Sequence, residues 1–192
     1  MMKIARFIII SILLLGSCKA YAGNVALDGI ATASSEYYDA FYGIYKPASL
    51  AIDGDPLTNW SADAAHDGWL IVDLKSIYDI QTIVLKSLDK PEYDTLYSNY
   101  NLYSSLDNIN WNLIGSGTLT DNDSEWFEVW HIGGDEMRSI KYEVTGGTHW
   151  AHLYEIEAYP TPEPSTCLLF GIGLLGAGLI KRRASTCRSS KV

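Results

Sequence analysis

The chain has 192 residues, 47% hydrophobic and 12% aromatic, with 14 Lys and Arg against 23 Asp and Glu, a net charge of −9. Its length and apolar content suit one domain with a real core, which excludes a disordered or fibrous class. The acidic balance argues against nucleic acid and other polyanions as partners, because such binding relies on Lys and Arg displacing counterions from phosphates.

The chain opens on an address. In "MMKIARFIIISILLLGSCKAYAG", Lys3 and Arg6 precede an apolar run from Phe7 to Leu15, and Ala20, Tyr21 and Ala22 follow. That is the pattern of a secretory signal peptide over residues 1–22, cut before Gly23. "LLGSC" also has the form of a lipobox with Cys18 as the acylated residue, so two processing routes stand open. Eight bases and one acid belong to the two ends of the chain, leaving six bases against 22 acids over residues 23–159, a net of −16. All three cysteines, Cys18, Cys167 and Cys187, lie outside that region. The exported domain therefore has no disulfide, and its stability comes from packing or from a bound metal.

Next in order is "SSEYYDAFYGIYKP", with Tyr37, Tyr38, Phe41, Tyr42 and Tyr45 in a stretch that shows no strand alternation. Exposed aromatics on a loop point to recognition more than to packing. "AIDGDPLTNW" follows. Asp53, Gly54, Asp55 and Pro56 all favour turns, so this is a tight loop between strands or an oxygen-rich loop that wraps a hard cation. It is not an EF-hand loop. "SADAAHDG" then adds His66 and Asp67.

From here runs of strand composition dominate. They cover 69–74, 80–88, 100–105, 111–117, 126–132, 139–146 and 153–159, separated by turn clusters such as "DNIN", "TDNDSE" and "GGDE". No stretch carries a helical period, so the pattern predicts an all-β fold, an antiparallel β-sandwich or jelly roll. In "WFEVWHI", Trp126, Glu128 and Trp130 share one face and Phe127, Val129 and His131 the other. That alternation is imperfect, which leaves cover on both faces open. Trp69, Trp111 and Trp126 are expected in the core, and Trp60 beneath the loop that precedes it. "LDKPEYDTLYSNY" supplies Lys90, Tyr93, Tyr97 and Asn99, and "GGTHWAH" supplies His149, Trp150 and His152. No HExxH, GxSxG or nucleophile triad signature accompanies these histidines, so the chain does not read as an enzyme.

Four segments in register, "AIDGDPLTNWSAD", "GWLIVDLKSIYDIQTIVL", "YNLYSSLDNINWNLIGSG" and "LYEIEAY", resemble the discoidin or coagulation-factor 5/8 type C domain. Galactose-binding domain-like jelly rolls and carbohydrate-binding modules of family 32 belong with it. The resemblance implies a structural calcium (Ca2+) held by backbone carbonyls of Leu50, Asp55 and Tyr154, by the carboxylates of Asp53 and Glu155, and by both oxygens of Thr58. Glu157 lies on the same strand face as Glu155 and competes for the role. The resemblance also implies sugar binding by loops at one rim, where this sequence offers Tyr38, Tyr42, His66, Tyr97, His149 and Trp150. Many such relatives set an Arg beside a His in the site. Here the domain's one Arg is Arg138, at the start of an expected strand, so either Lys90 or His66 replaces it or the sugar site is absent.

The domain is expected to end at Tyr159. Residues 160–192 hold Pro162, Glu163 and Pro164, a short apolar segment over 167–180, and the basic Lys181, Arg182 and Arg183. The segment is shorter than the ~20 residues of a permanent span. The three-part order resembles the PEP-CTERM sorting tail of Gram-negative bacteria, although "ASTCRSSKV" runs on beyond the basic cluster. The resemblance implies an exosortase as partner during export, transient membrane contact through the tail, and a cell-surface or extracellular destination. The combined expectation is a non-catalytic carbohydrate-binding protein for a neutral glycan or exopolysaccharide. The alternative is a structural or adhesive matrix protein that binds another protein.

Overall fold

Strand-forming composition becomes strand almost throughout the computed structural model, which describes residues 23–87, 93–121, 127–148 and 150–161. Residues 1–22, expected to form a signal peptide, and residues 162–192 of the tail, together with Lys90, Trp126 and His149, lie outside the described residues. A 3-10 turn η1 (Val25–Asp28) leads into β1 (Ile30–Ala33), the hairpin β2 (Tyr37–Asp39) and β3 (Ile44–Lys46), and a second 3-10 turn η2 (Ala48–Ala51). Then come β4 (Trp60–Ala65), β5 (Gly68–Lys86), β6 (Tyr93–Ser105), β7 (Asn112–Asp121), β8 (Phe127–Gly147), β9 (Trp150–Leu153) and β10 (Glu155–Pro160). All pairing among them is antiparallel.

Two long strands organise the domain. β5 and β8 pair along nearly their whole length, β6 and β7 continue the sheet from β8, and the far edge of β5 takes β1 at one end and β10 at the other. The sequence pattern divides each long strand into two runs with a turn between. The structure keeps each continuous and bends it instead. Register breaks between Asp73 and Tyr78 and between Ile80 and Thr82, and Lys75 sits at φ 66°. On β8 the bend uses Gly133 and Gly134, at φ 75° and 94°. Bulges of this kind bend a strand and shift its facing phase by one residue. Accordingly Leu70, Val72 and Leu74 point inward before the bend, and Ile83 and Leu85 after it.

The bends fold the sheet over on itself, and the core fills the space between its halves. Leu70, Ile83, Leu102, Met137, Ile140 and Ile156 are all fully buried there, with Trp60, Tyr100 and Tyr142. The predicted facing of the 127–132 segment is observed: Glu128 and Trp130 turn inward, while Phe127 and Val129 remain 43% exposed, so this strand is covered on one face only. Trp69 and Trp111 are half-buried. Where β7 crosses the first half of β8, a Cβ on Gly115 would come within 2.5 Å of the Trp130 ring, so the close approach requires glycine.

One buried polar chain ties these layers together. The Trp130 indole N–H donates to the Tyr100 hydroxyl at 2.8 Å, and that hydroxyl donates to the Glu128 carboxylate. Burial, with the neighbouring Glu128, pushes the Tyr100 hydroxyl far above its ordinary pKa. Tyr100→Phe removes the middle of the chain and leaves the indole donor unsatisfied, so the variant should lose about 1–3 kcal/mol of stability in urea unfolding.

Candidate functional site

The two-stranded ribbon β4–β9 carries a candidate site at each end. Trp60 pairs with Leu153 at one end and Ala65 with Trp150 at the other, with a bulge between. Trp60 is fully buried as expected, and its indole N–H donates to the Ser35 carbonyl at 3.0 Å. The acidic loop enters the ribbon immediately before Trp60, and Glu155 follows immediately after β9. This is why residues so distant in sequence meet.

The loop is drawn around oxygen atoms. Asp53 accepts from the Asp55 N–H at 2.9 Å and from the Thr58 hydroxyl at 2.8 Å. The same hydroxyl lies 3.1 Å from the Asp55 carbonyl oxygen. Gly54, at φ 80°, turns the chain so that its N–H donates to Glu155 Oε1 at 2.9 Å. Leu50 lies within η2 on the way into the loop, and the Tyr154 N–H donates to the Lys86 carbonyl, holding the strand start in place. Among the described residues no three His, Cys, Asp or Glu side chains converge as a metal centre. A cation here would take two carboxylates and draw its remaining oxygens from backbone and hydroxyl groups, a donor set suited to calcium.

Glu155 is the unusual member. It is 1% exposed, its Oε2 has no hydrogen-bond partner, and burial followed by the adjacent Asp53 pushes its carboxyl up to about 7. An orphaned buried carboxylate oxygen beside a second carboxylate is costly unless a positive charge joins them. Glu157 is engaged elsewhere: Lys86 Nζ lies 2.6 Å from its Oε1, and the Tyr159 hydroxyl donates to its Oε2 at 2.9 Å. The geometry therefore separates the two acids that the sequence could not.

At the other end of the ribbon, aromatic rings gather. Trp150 is 45% exposed and meets Tyr37 edge to face, ring centroids 6.1 Å apart. Tyr97 is 37% exposed and is joined to the chain just before Trp150: its carbonyl accepts from the Thr148 N–H at 2.9 Å, and its N–H donates to the Thr148 hydroxyl at 3.2 Å. His66 and Asp67 are exposed on the turn that follows Ala65. Asp39 and Asp63 lie beside Tyr37, and Lys46 pairs with Tyr37 across the hairpin, so acids and a base share this rim.

The hairpin sorts the tyrosines by strand parity. Tyr37 and Asp39 turn toward the ribbon, whereas Tyr38 lies on the opposite face of the hairpin, 63% exposed and packed edge to face on Tyr45 at 6.2 Å. Tyr42 sits at the hairpin tip against Phe41, where the Asp39 carboxylate accepts the N–H groups of both. Trp150, Tyr97 and His66 thus belong to one rim, and Tyr38 and Tyr42 to a neighbouring aromatic surface. Composition marks Tyr37 only as one of five aromatics in its stretch, and the alternation of Tyr37 and Asp39 against Tyr38 is the signal that separates it from the others. His152 is no rim residue: it is 5% exposed, with Nε2 3.2 Å from the Ser87 hydroxyl and Nδ1 2.8 Å from the Trp150 carbonyl. Arg138 is spent in a two-pronged pair with Asp73, 3.0 and 2.9 Å, that clamps β8 to β5. That pair holds the Asp73 carboxyl below its ordinary pKa.

A folded-over antiparallel sheet, with exposed aromatics at one end and an acidic loop hydrogen-bonded to the last strand, defines a jelly-roll domain. The chain belongs to the F5/8 type C domain family, whose model matches residues 30–156. A PEP-CTERM protein-sorting motif matches residues 160–183, which marks the protein for export to the cell surface or beyond. A family 32 carbohydrate-binding module of Clostridium perfringens, solved with GalNAc-β-1,3-galactose, is 21% identical over 72% of this chain and 99% of its own, with a TM-score of 0.60. The family 32 module of C. perfringens NanJ, solved with galactose, is 20% identical over 73% of this chain and 99% of its own, also with a TM-score of 0.60. A polysaccharide lyase 8 family protein, HylA of Enterococcus faecalis, is 45% identical over 49 residues. This chain spans 4% of that protein's length.

Proposed function

We propose that this protein is a non-catalytic, exported lectin-like module that binds neutral glycan through the rim formed by Trp150, Tyr37, Tyr97 and His66, and that calcium staples the opposite end of its ribbon. The observation that carries the sugar reading is the half-exposed Trp150, held edge to face on Tyr37. It presents an apolar ring face of the kind that stacks on a pyranose, beside polar groups able to meet hydroxyls. The excess of acids in the domain, 22 against six bases over residues 23–159, disfavours anionic sugars and leaves neutral ones. The fold shared with galactose-binding and GalNAc-galactose-binding modules supports the same reading.

For calcium, the supporting observation is the orphaned Glu155 oxygen facing the loop. Asp53 and Glu155 would hold the ion with the carbonyls of Leu50, Asp55 and Tyr154 and the oxygens of Thr58. Its contribution is a fixed crosslink between the early loop and the last strand. Residues 1–22 would act as the signal peptide and residues 160–192 as the exosortase-read tail, leaving 23–159 as the mature domain.

A glycan array probed with the exported protein tests the rim. Saturable binding to a neutral glycan should fall by roughly thirtyfold in Trp150→Ala, the scale of an anchor residue worth about 2 kcal/mol. Absence of binding to every neutral glycan would sink the lectin reading and leave an adhesive matrix protein that recognises another protein.

A further inference from the structure

β7 forms an edge of the main sheet: it pairs with β6 on one side, and among the described residues no strand pairs with the other. Such an edge displays backbone N–H and C=O groups to any extended chain, and proteins guard it with short length, charge, proline or cover. The other flanks of this sheet carry those guards. β1 has only four residues, and the first half of β8 bears Glu128 and His131. β10 carries Glu157 and ends in Pro160, and the Asn24 side chain accepts its Ala158 N–H.

β7 is different. From Asn112 to Thr120 it holds no charged residue, no histidine and no proline, in a domain with 22 acids and six bases over residues 23–159. A break in register between Gly115 and Leu113 bends its first part. Beyond that, pairing with β6 is regular from Gly115 to Thr120. Side chains do not block the approach of a second backbone to this run. On one face, the Ser116 hydroxyl donates to Asn101 Oδ1 at 2.6 Å and the Thr118 hydroxyl to Asn99 Oδ1 at 2.8 Å, so both turn back across β6. On the other face stand Gly115 and Gly117, where a Cβ would come within 2.5 Å of the Trp130 ring and 2.7 Å of Tyr100 and Glu128.

We infer that β7 is a self-association edge, on which Gly115–Leu119 pairs antiparallel with the same run of a second copy about a two-fold axis at Gly117. Residues opposite one another in a continuous sheet share a face, so the two-fold must pass through a residue and not between two. Centring on Gly117 uses the regular run, sets glycine opposite glycine, and places each Ser116 opposite the second copy's Thr118. Cross-strand hydroxyl pairs of this kind are favourable, and each oxygen can still accept a hydrogen bond. The acidic balance selects a second copy's β7 as the occupant, because strongly like-charged domains repel at most contacts, and an uncharged edge lets two of them meet with no acid opposite an acid. The partner strand runs the opposite way, so the rims, at the Tyr97 end of each sheet, face opposite directions. On the glycan reading above, such a dimer bridges two glycan chains.

Analytical ultracentrifugation of the exported protein over a concentration series tests this. The parent should associate reversibly to two copies and no further, and more tightly as salt is raised, because screening removes the repulsion between acidic domains. Two double variants isolate the edge. Ser116→Lys with Thr118→Lys sets Lys opposite Lys twice and should weaken association at least tenfold, although it lowers the net negative charge. Ser116→Lys with Thr118→Asp sets Lys opposite Asp twice and should associate at least as tightly as the parent. Both variants lose the same hydroxyls, so damage to the strand would affect them alike, and matching melting curves will verify that they fold. A parent that stays single at every concentration overturns the proposal. So does a Lys–Lys variant that associates as the parent does, or a Lys–Asp variant as weak as the Lys–Lys one. Glycan takes no part in these readouts, so failure here and failure of the lectin reading are separate results.

Discussion

Calcium added to chelator-stripped protein should raise its melting temperature by roughly 10 °C, and the Glu155→Gln variant should show no such response. Mass action sets the scale: a ligand at a hundredfold excess over its Kd stabilises the folded state by about 2.7 kcal/mol, and a domain of this size shifts by several degrees per kcal/mol. Without the ion, Glu155→Gln should be at least as stable as the parent at neutral pH, because the neutral amide removes a buried charge from beside Asp53. The stripped parent should also depend on pH in a particular sense. Its Glu155 carboxyl holds a proton up to about 7, against 4.5 ordinarily, so the folded state binds that proton more tightly than the unfolded chain does. The resulting contribution is full below about 4.5 and is lost as pH rises through about 7. Calcium, which needs the ionised form, should bind more tightly over the same rise and release a proton as it does. A calorimetric series across pH checks both signs. A stripped protein whose stability climbs from pH 4.5 to 7 would contradict the buried, unpaired state of Glu155.

Gly147→Ala should cost about 3 kcal/mol and also weaken glycan binding at the rim. The residue sits at φ 137°, where a side chain is strained, and a Cβ would come within 2.2 Å of the Tyr97 carbonyl oxygen. Backbone cannot move aside as a flexible side chain can, so the strain and the overlap add, each worth about 1–3 kcal/mol. The clash falls on the Ser98–Gly147 pair and on the Tyr97–Thr148 hydrogen bonds beside it. Tyr97 and the chain leading to Trp150 would therefore shift together. Urea unfolding and glycan titration should move in parallel. An effect on stability alone would show that the rim geometry is set by β4 and not by the β6 contact.

The two predictions are linked through β4–β9. From Trp60 to Ala65 the ribbon spans five residues, about 17 Å, with the acidic loop at one end and Trp150 at the other. Fixing the loop to Glu155 fixes the register in which Leu153 and Trp150 meet β4. Removing calcium should therefore weaken glycan binding as well as stability, although no rim residue is among those that would hold the ion.

Much of this was legible in the sequence because it depends on local chemistry. Composition of 69–74, 100–105 and 153–159 marked strands, the Phe127 to His131 alternation marked one buried face, and four segments in order marked the family. The acidic loop was legible as well, since Asp53, Gly54, Asp55 and Thr58 are adjacent in the chain. The short β1 to β4 and β9 were not, because two or three residues per face carry too little period to stand out. Nor could local pattern distinguish a turn from a bend: "GGDE" reads as a loop, but antiparallel pairing with β5 continues to Asp135 and resumes at His131, so β8 bends there without ending.

By itself the sequence determined the all-β class, the exported and acidic character of the domain, and the oxygen-rich loop, all properties of residues close together in the chain. Tertiary structure alone decided that Glu155, and not Glu157, faces Asp53. It also decided that Tyr37, and not Tyr38, meets Trp150, and that Arg138 is a clamp on Asp73. Each of these choices is made by a partner far along the chain, through strand parity and register, and only the assembled sheet brings those partners within reach.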